Sequence, residues 1–122
     1  MIGWLKQQLI KLNIDSIKGI LTNVLIMDSD TILCKDQSFI QNNKIVIKYS
    51  DEFHIKYKLS SSWLLNKYSK SVLSYISHHQ VFNISHLLEL RNHVESCTLL
   101  PFNRSFQAVS SLLTITLLLK QL

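Results

Sequence analysis

The chain has 122 residues, 47% of them hydrophobic, which excludes an intrinsically disordered segment and fits a single domain, residues 1–122, with a core of its own. Its formal net charge of +5, from 13 basic against 8 acidic side chains, favours acidic or polyanionic partners. The lysines are nevertheless spread from Lys6 to Lys120, and arginine occurs only at Arg91 and Arg104, so no single tract marks a nucleic-acid site.

From the amino end, Trp4, Leu5, Gln8, Leu9 and Leu12 share one helical face while Lys6, Gln7 and Lys11 lie elsewhere, which predicts a short amphipathic helix over residues 3–12. The same residues lack the continuous apolar centre of a secretory leader, so a cytoplasmic location is expected. Residues 17–27 fit either a helix, through Ile20, Leu21, Val24 and Leu25, or a buried strand at 23–27; the strand is adopted here. Asp28-Ser29-Asp30 supplies turn chemistry, and the β-branched, apolar run Thr31-Ile32-Leu33-Cys34 predicts a returning strand. Asp36-Gln37-Ser38 and Gln41-Asn42-Asn43 then bracket Phe39-Ile40. From Lys44 to Leu59, apolar residues fall on every second position: Ile45, Ile47 and Tyr49, then Phe53, Ile55, Tyr57 and Leu59. Lys44, Lys48, His54, Lys56 and Lys58 fill much of the opposite parity, and Ser50-Asp51-Glu52 separates the halves. The pattern predicts an antiparallel hairpin with one buried and one wet face.

Ser60, Ser61 and Ser62 offer hydroxyl caps to a helix carrying Trp63, Leu64, Leu65, Tyr68, Val72, Tyr75, Ile76 and His79 at three- and four-residue steps. Residues 84–100 read two ways. As a helix, Ser85 caps it and Leu87, Leu88, Arg91, Val94 and Cys97 lie along one side. As a hairpin, Asn92-His93 forms the turn, and this reading is taken for the element order. Pro101, without an amide hydrogen, stops the element. Asn103 or Ser105 then caps a last helix whose apolar perimeter predicts a homodimer, with Phe106, Val109, Leu113 and Leu117 at the interface. Its apolar centre, Leu112 to Leu119, is far shorter than the roughly 20 residues that span a bilayer. The expected fold class is α+β, a small antiparallel sheet flanked by helices in the order α-β-β-β-α-β-β-α.

Chemistry is sparse. His93 and Cys97 have the i, i+4 spacing of two metal ligands on one helical face, but no further pair completes a zinc site. Asp28, Asp30 and Asp36 cluster about a turn without the glycine and glutamate of a calcium loop. With only Gly3 and Gly19 in the chain there is neither a phosphate-cradling loop nor a nucleophile elbow. Cys34 and Cys97 are expected as reduced, buried core residues. No catalytic residue, metal or cofactor is expected, and the protein is not expected to be an enzyme.

The element order resembles that of the class I chaperones of bacterial type III secretion. The likeness is carried by residues 5–14 (LKQQLIKLNI) as the opening helix, by residues 25–34 (LIMDSDTILC) as a first strand pair, and by residues 98–103 (TLLPFN) as a closing strand and Leu-Pro turn. The resemblance implies a small dimeric α+β chaperone in a virulence pathway, holding an extended segment of a client protein without catalysis. The client-contact residues it suggests are Ile45, Ile47, Phe53, Ile55 and Tyr57. Two other classes compete. One is a nucleic-acid-binding module using Lys44, Lys48, Lys56 and Lys58 on the basic face of the central hairpin. The other is a small structural subunit of a larger assembly.

Overall fold

The structure, a computed structural model, describes residues 2–109. It is an α+β fold: helices accompany two antiparallel sheets of two strands each among the described residues. Helix α1 spans Ile2–Leu12 and is followed by a 3-10 turn, Ile14–Ser16; strand β1 is Asn23–Met27. A tight hairpin, β2 (Ile40–Gln41) and β3 (Lys44–Ile45), precedes helix α2, Ile55–Leu65. Strand β4 (His79–Asn83) runs directly into helix α3, Ile84–Thr98, and residues 102–109 are helical again.

Strand β1 forms as expected, but its partner is distant in sequence. It pairs antiparallel with β4, from Asn23 opposite Asn83 to Met27 opposite His79. Residues 31–34 are not a returning strand. The backbone turns where Thr31 N donates to Asp28 O at 3.0 Å, and the Thr31 hydroxyl donates to the His78 carbonyl at 3.4 Å. The chain therefore leaves the sheet at this turn, and Cys34 is exposed rather than in the core.

The hairpin expected over residues 44–59 does not form. Only its first two residues are strand, and they pair with Ile40 and Gln41 across Asn42-Asn43, both at positive φ (48° and 61°). Positive φ at both central residues is the two-residue turn whose twist matches that of its strands, and asparagine tolerates it. The second half of the expected hairpin is the start of α2. Its alternation hid a second period, because Ile55, Leu59 and Trp63 also recur at every fourth residue, the step of a helix.

Helix α2 ends earlier than its apolar periodicity suggested. Asn66 takes the left-handed conformation (φ 48°) and closes the helix with its amide on Ser62 O and Trp63 O. Beyond it, serine hydroxyls accept from amides two residues on, Ser69 from Ser71, Ser71 from Leu73 and Ser74 from Ile76. Such local bonds compete with the helical ladder. Residues 66–78 accordingly run without helix and touch residue 50 through a single bridge, Ser50 to Ser74.

Residues 84–98 are helix, not hairpin. The decisive cap is Asn83 rather than Ser85: its side-chain oxygen accepts from the amides of Ser85 (3.0 Å) and His86 (3.4 Å) while its own backbone is still extended. One residue thus ends the strand and starts the helix. Leu99, at φ 56°, terminates α3 just before Pro101. The helix after the proline starts earlier than expected, because the Pro101 carbonyl accepts from Arg104 and Ser105, and Glu95 Oε1 takes the free Phe102 amide at 2.8 Å.

The core is built on α3. Its buried side, Leu87 and Val94, packs towards β4 and α2, with Val81, Phe102 and Val109 completing the buried apolar set among the described residues. The fully buried Ser105 shares its hydroxyl with Thr98 at 2.7 Å. Arg91 reaches from α3 to the turn after α1, donating to Asn13 Oδ1 at 3.0 Å and pairing with Asp15.

Candidate functional site

Helix α2 organises the surface with the most chemistry. Two hollows flank it. The first, about 580 Å³, lies between α1, α2 and residues 75–80, and Trp4, Lys11, Tyr57, Tyr75, His78 and Phe106 are among its walls. The second, about 530 Å³, is bounded by Phe53, Lys58, Leu65, Tyr68 and Leu73. Tyr57, Ser61, Tyr75 and Ile76 line both. The Tyr57 ring stacks on Trp4 at 5.9 Å with the planes 3° apart, and meets the His54 ring edge-on at 5.1 Å. The Lys58 ammonium sits 4.9 Å from the centre of the Phe53 ring and donates to the Ser71 carbonyl. The first contact ties the helix to the residues before it, and the second fastens the segment after α2 back onto the helix.

At the floor of the first hollow, Lys11 donates to Asp28 Oδ1 at 2.8 Å, and His78 Nδ1 lies 3.5 Å from Asp28 Oδ2. The hydrogen bond from Lys11 holds the Asp28 carboxyl below the usual carboxylate value; partial burial opposes this and His78 adds to it. Asp30 approaches the same point, so Asp28, Asp30 and His78 each bring one ligand atom within 4.8 Å of the others. The lysine already neutralises the central carboxylate, which weakens the trio as a cation site. The other pair singled out by spacing does meet: Cys97 Sγ is 3.5 Å from His93 Nε2. That imidazole nitrogen also lies 3.0 Å from the Leu65 carbonyl, so the pair anchors the end of α2 to α3.

Of the expected client-contact residues, Ile45 is half-buried on β3, whereas Ile47, Phe53, Ile55 and Tyr57 are exposed. They do not form one face of a hairpin. Ile47 and Phe53 lie in the connection between β3 and α2, and Ile55 and Tyr57 in the first turn of α2. The four lysines of the nucleic-acid reading are likewise divided: Lys44 is on β3, Lys48 in the connection, and Lys56 and Lys58 half-buried on α2, so the basic strand face required for it is not built. Of the expected dimer residues, Val109 is buried within the chain and Phe106 is half-buried with its ring 6.0 Å from that of Phe102. Leu113 and Leu117 lie outside the described residues.

Reading residues 44–59 as strand missed the grouping of Leu59 and Trp63 with Ile55 as a solvent-facing stripe. The signal was present in their spacing. No described helix is long and apolar enough to cross a membrane. No protein-family model, curated protein or solved structure matches the chain.

Proposed function

We propose that this protein is a small non-catalytic binding protein that holds an extended segment of a client protein, in the manner of a secretion chaperone. One observation carries the reading. Between Ile47 and Tyr75, eleven large apolar or aromatic side chains are exposed (Ile47, Tyr49, Phe53, Ile55, Tyr57, Leu59, Trp63, Tyr68, Val72, Leu73 and Tyr75), and none of the buried apolar residues falls there. Exposed apolar side chains in this number along one stretch are characteristic of an interaction site rather than of a free monomer's exterior. The hollows beside α2 offer both aromatic side chains and serines to such a segment. Each strand of the two-stranded sheets also has an edge without a strand neighbour among the described residues, which a client backbone can extend. A homodimer is part of the proposal.

The test is a peptide array tiled across the proteins encoded beside its gene, probed with wild type and with an Ile47→Asp, Phe53→Ser double variant. Both side chains are exposed, so the variant keeps its circular dichroism. Binding to one defined extended segment, weakened about tenfold or more in the variant, is the expected result. Binding that the double substitution leaves unchanged overturns the reading, as does the absence of any bound segment.

A further inference from the structure

We propose that His93, Cys97 and the backbone carbonyl of Leu65 form a binding site for a thiophilic divalent cation of the zinc kind, separate from the client surface. The sequence offers only the His93 and Cys97 pair, one turn apart on α3, and the third donor comes from the end of α2. Cys97 Sγ lies 3.5 Å from His93 Nε2, and both converge on the Leu65 carbonyl oxygen, the nitrogen at 3.0 Å and the sulfur at 3.9 Å. Zinc–sulfur bonds of about 2.3 Å and zinc–nitrogen bonds of about 2.0–2.1 Å, opened to a tetrahedral angle of about 109°, set sulfur and nitrogen about 3.5 Å apart. With the oxygen at about 2.1 Å, the nitrogen–oxygen and sulfur–oxygen edges come to about 3.4 and about 3.6 Å, so shifts of about 0.4 Å or less bring the three atoms onto one face of a tetrahedron. The fourth corner is left to water.

The donor set selects the cation. Sulfur and imidazole suit zinc, whereas calcium and magnesium take oxygen ligands. Leu65 is the last residue of α2, so its carbonyl has no helical amide to accept from and lies at the negative end of the helix dipole, where a cation is favoured. The imidazole alone satisfies that carbonyl as a hydrogen-bond donor, and the thiol at 3.9 Å adds little in that role. Cys97 is not in a disulfide. On binding, its thiol releases a proton to solvent and the imidazole carries its own proton on Nδ1, which leaves Sγ and Nε2 as ligands. Both side chains are half-buried, and neither lines a hollow beside α2. The rival cluster, Asp28, Asp30 and His78, has its central carboxylate already held by Lys11. A cation at Cys97 clasps the end of α2 to α3.

The probe is cobalt(II), added without oxygen to the reduced, untagged full chain. Expected are a sulfur-to-cobalt charge-transfer band in the near ultraviolet and visible bands of tetrahedral intensity, saturating at one cobalt per chain and displaced by zinc. Cys97→Ser should abolish the charge-transfer band, and His93→Gln should weaken binding about tenfold or more. Cys34→Ser, at the exposed second thiol, should leave both unchanged. Zinc should raise the unfolding midpoint of wild type and of Cys34→Ser, but not of Cys97→Ser. Wild type without the charge-transfer band overturns the proposal, whatever the folding of the variants. So does a band that survives in Cys97→Ser, or cobalt bound without the band, as at Asp28, Asp30 and His78. Saturation at one cobalt per two chains overturns it too, because ligands of a second copy then replace the Leu65 carbonyl.

Discussion

Residues 79–109 and residues 47–75 are of comparable length and similarly apolar, yet they use their side chains in opposite ways. All five buried apolar residues among those described, Val81, Leu87, Val94, Phe102 and Val109, belong to the first stretch, while half of the exposed large hydrophobics belong to the second. The difference lies in the backbone each sequence permits. In the first stretch Asn83 joins strand to helix without a loop, so β4 and α3 share one core. In the second, Asn66 and the serines at 69, 71 and 74 end the helix and divert the chain before a further apolar face can close upon it. The buried apolar side chains thus gather in the first region, and the second leaves its large side chains exposed.

The largest effect that can break this comparison is a truncation in each region. Leu87, 2% exposed, should cost about 2 to 5 kcal/mol when changed to Ala, the range for a buried leucine whose cavity does not fully collapse. Leu59→Ala, at a site 59% exposed, should change stability by no more than about 0.5 kcal/mol. Urea denaturation of both variants measures the contrast. Equal losses would show that α2 belongs to the folding core and that its outer stripe is covered.

The division between the two regions was only partly legible in the sequence. The first helix could be read because one amphipathic face dominates it; strand β1 fits a helix as well as a strand in the sequence, and Asn42-Asn43 reads there only as a break after Phe39-Ile40. Residues 53–59 misled because Phe53, Ile55, Tyr57 and Leu59 satisfy a period of two while Ile55, Leu59 and Trp63 satisfy a helical step, and nothing local separates the two. Residues 84–98 were ambiguous for the same reason, and the cap that decides them lies at Asn83, just outside the segment under judgement. The partner of β1 was out of reach, since it stands more than fifty residues away. Of the residues placed about α2, Phe53, Ile55 and Tyr57 read from the sequence as contacts, but as strand residues. The hollow that joins Trp4, Asp28 and Tyr75 depends on tertiary packing that no local pattern encodes.

A smaller effect sharpens where the stable region begins. Arg91 pairs with Asp15, and their side chains are only 17% and 21% exposed; Asp15 Oδ1 is buried without a hydrogen-bond partner. Arg91→Ala should therefore cost about 1 to 3 kcal/mol, chiefly by stranding a half-buried carboxylate. Arg91→Ala combined with Asp15→Asn should recover part of that loss, and the double-mutant cycle gives the coupling. A purely additive cycle would detach α1 and its following turn from the packed unit around α3.

The smallest effect is set at the junction of the two regions, where Lys11 of α1 meets Asp28 after β1. Lys11 lowers the Asp28 carboxyl below its ordinary value in the folded state. A carboxylate depressed on folding contributes stability above its unfolded value, about 3.9, and that contribution is lost as pH falls through the lower folded value. Wild type should therefore exceed Asp28→Asn in stability at neutral pH, and the gap should narrow below about pH 4. The two side chains are 24% and 28% exposed, so water and salt screen the pair and the gap should be at most about 1 kcal/mol. Asp30 and His78 stand beside the same carboxylate, and both variants must retain them for the comparison to isolate Asp28. Thermal unfolding of wild type and Asp28→Asn at neutral pH and near pH 3 decides the matter. A gap that persists unchanged in acid would mean that Asp28 acts through its shape and neutral hydrogen bonds, and that the ion pair does not hold α1 to the sheet.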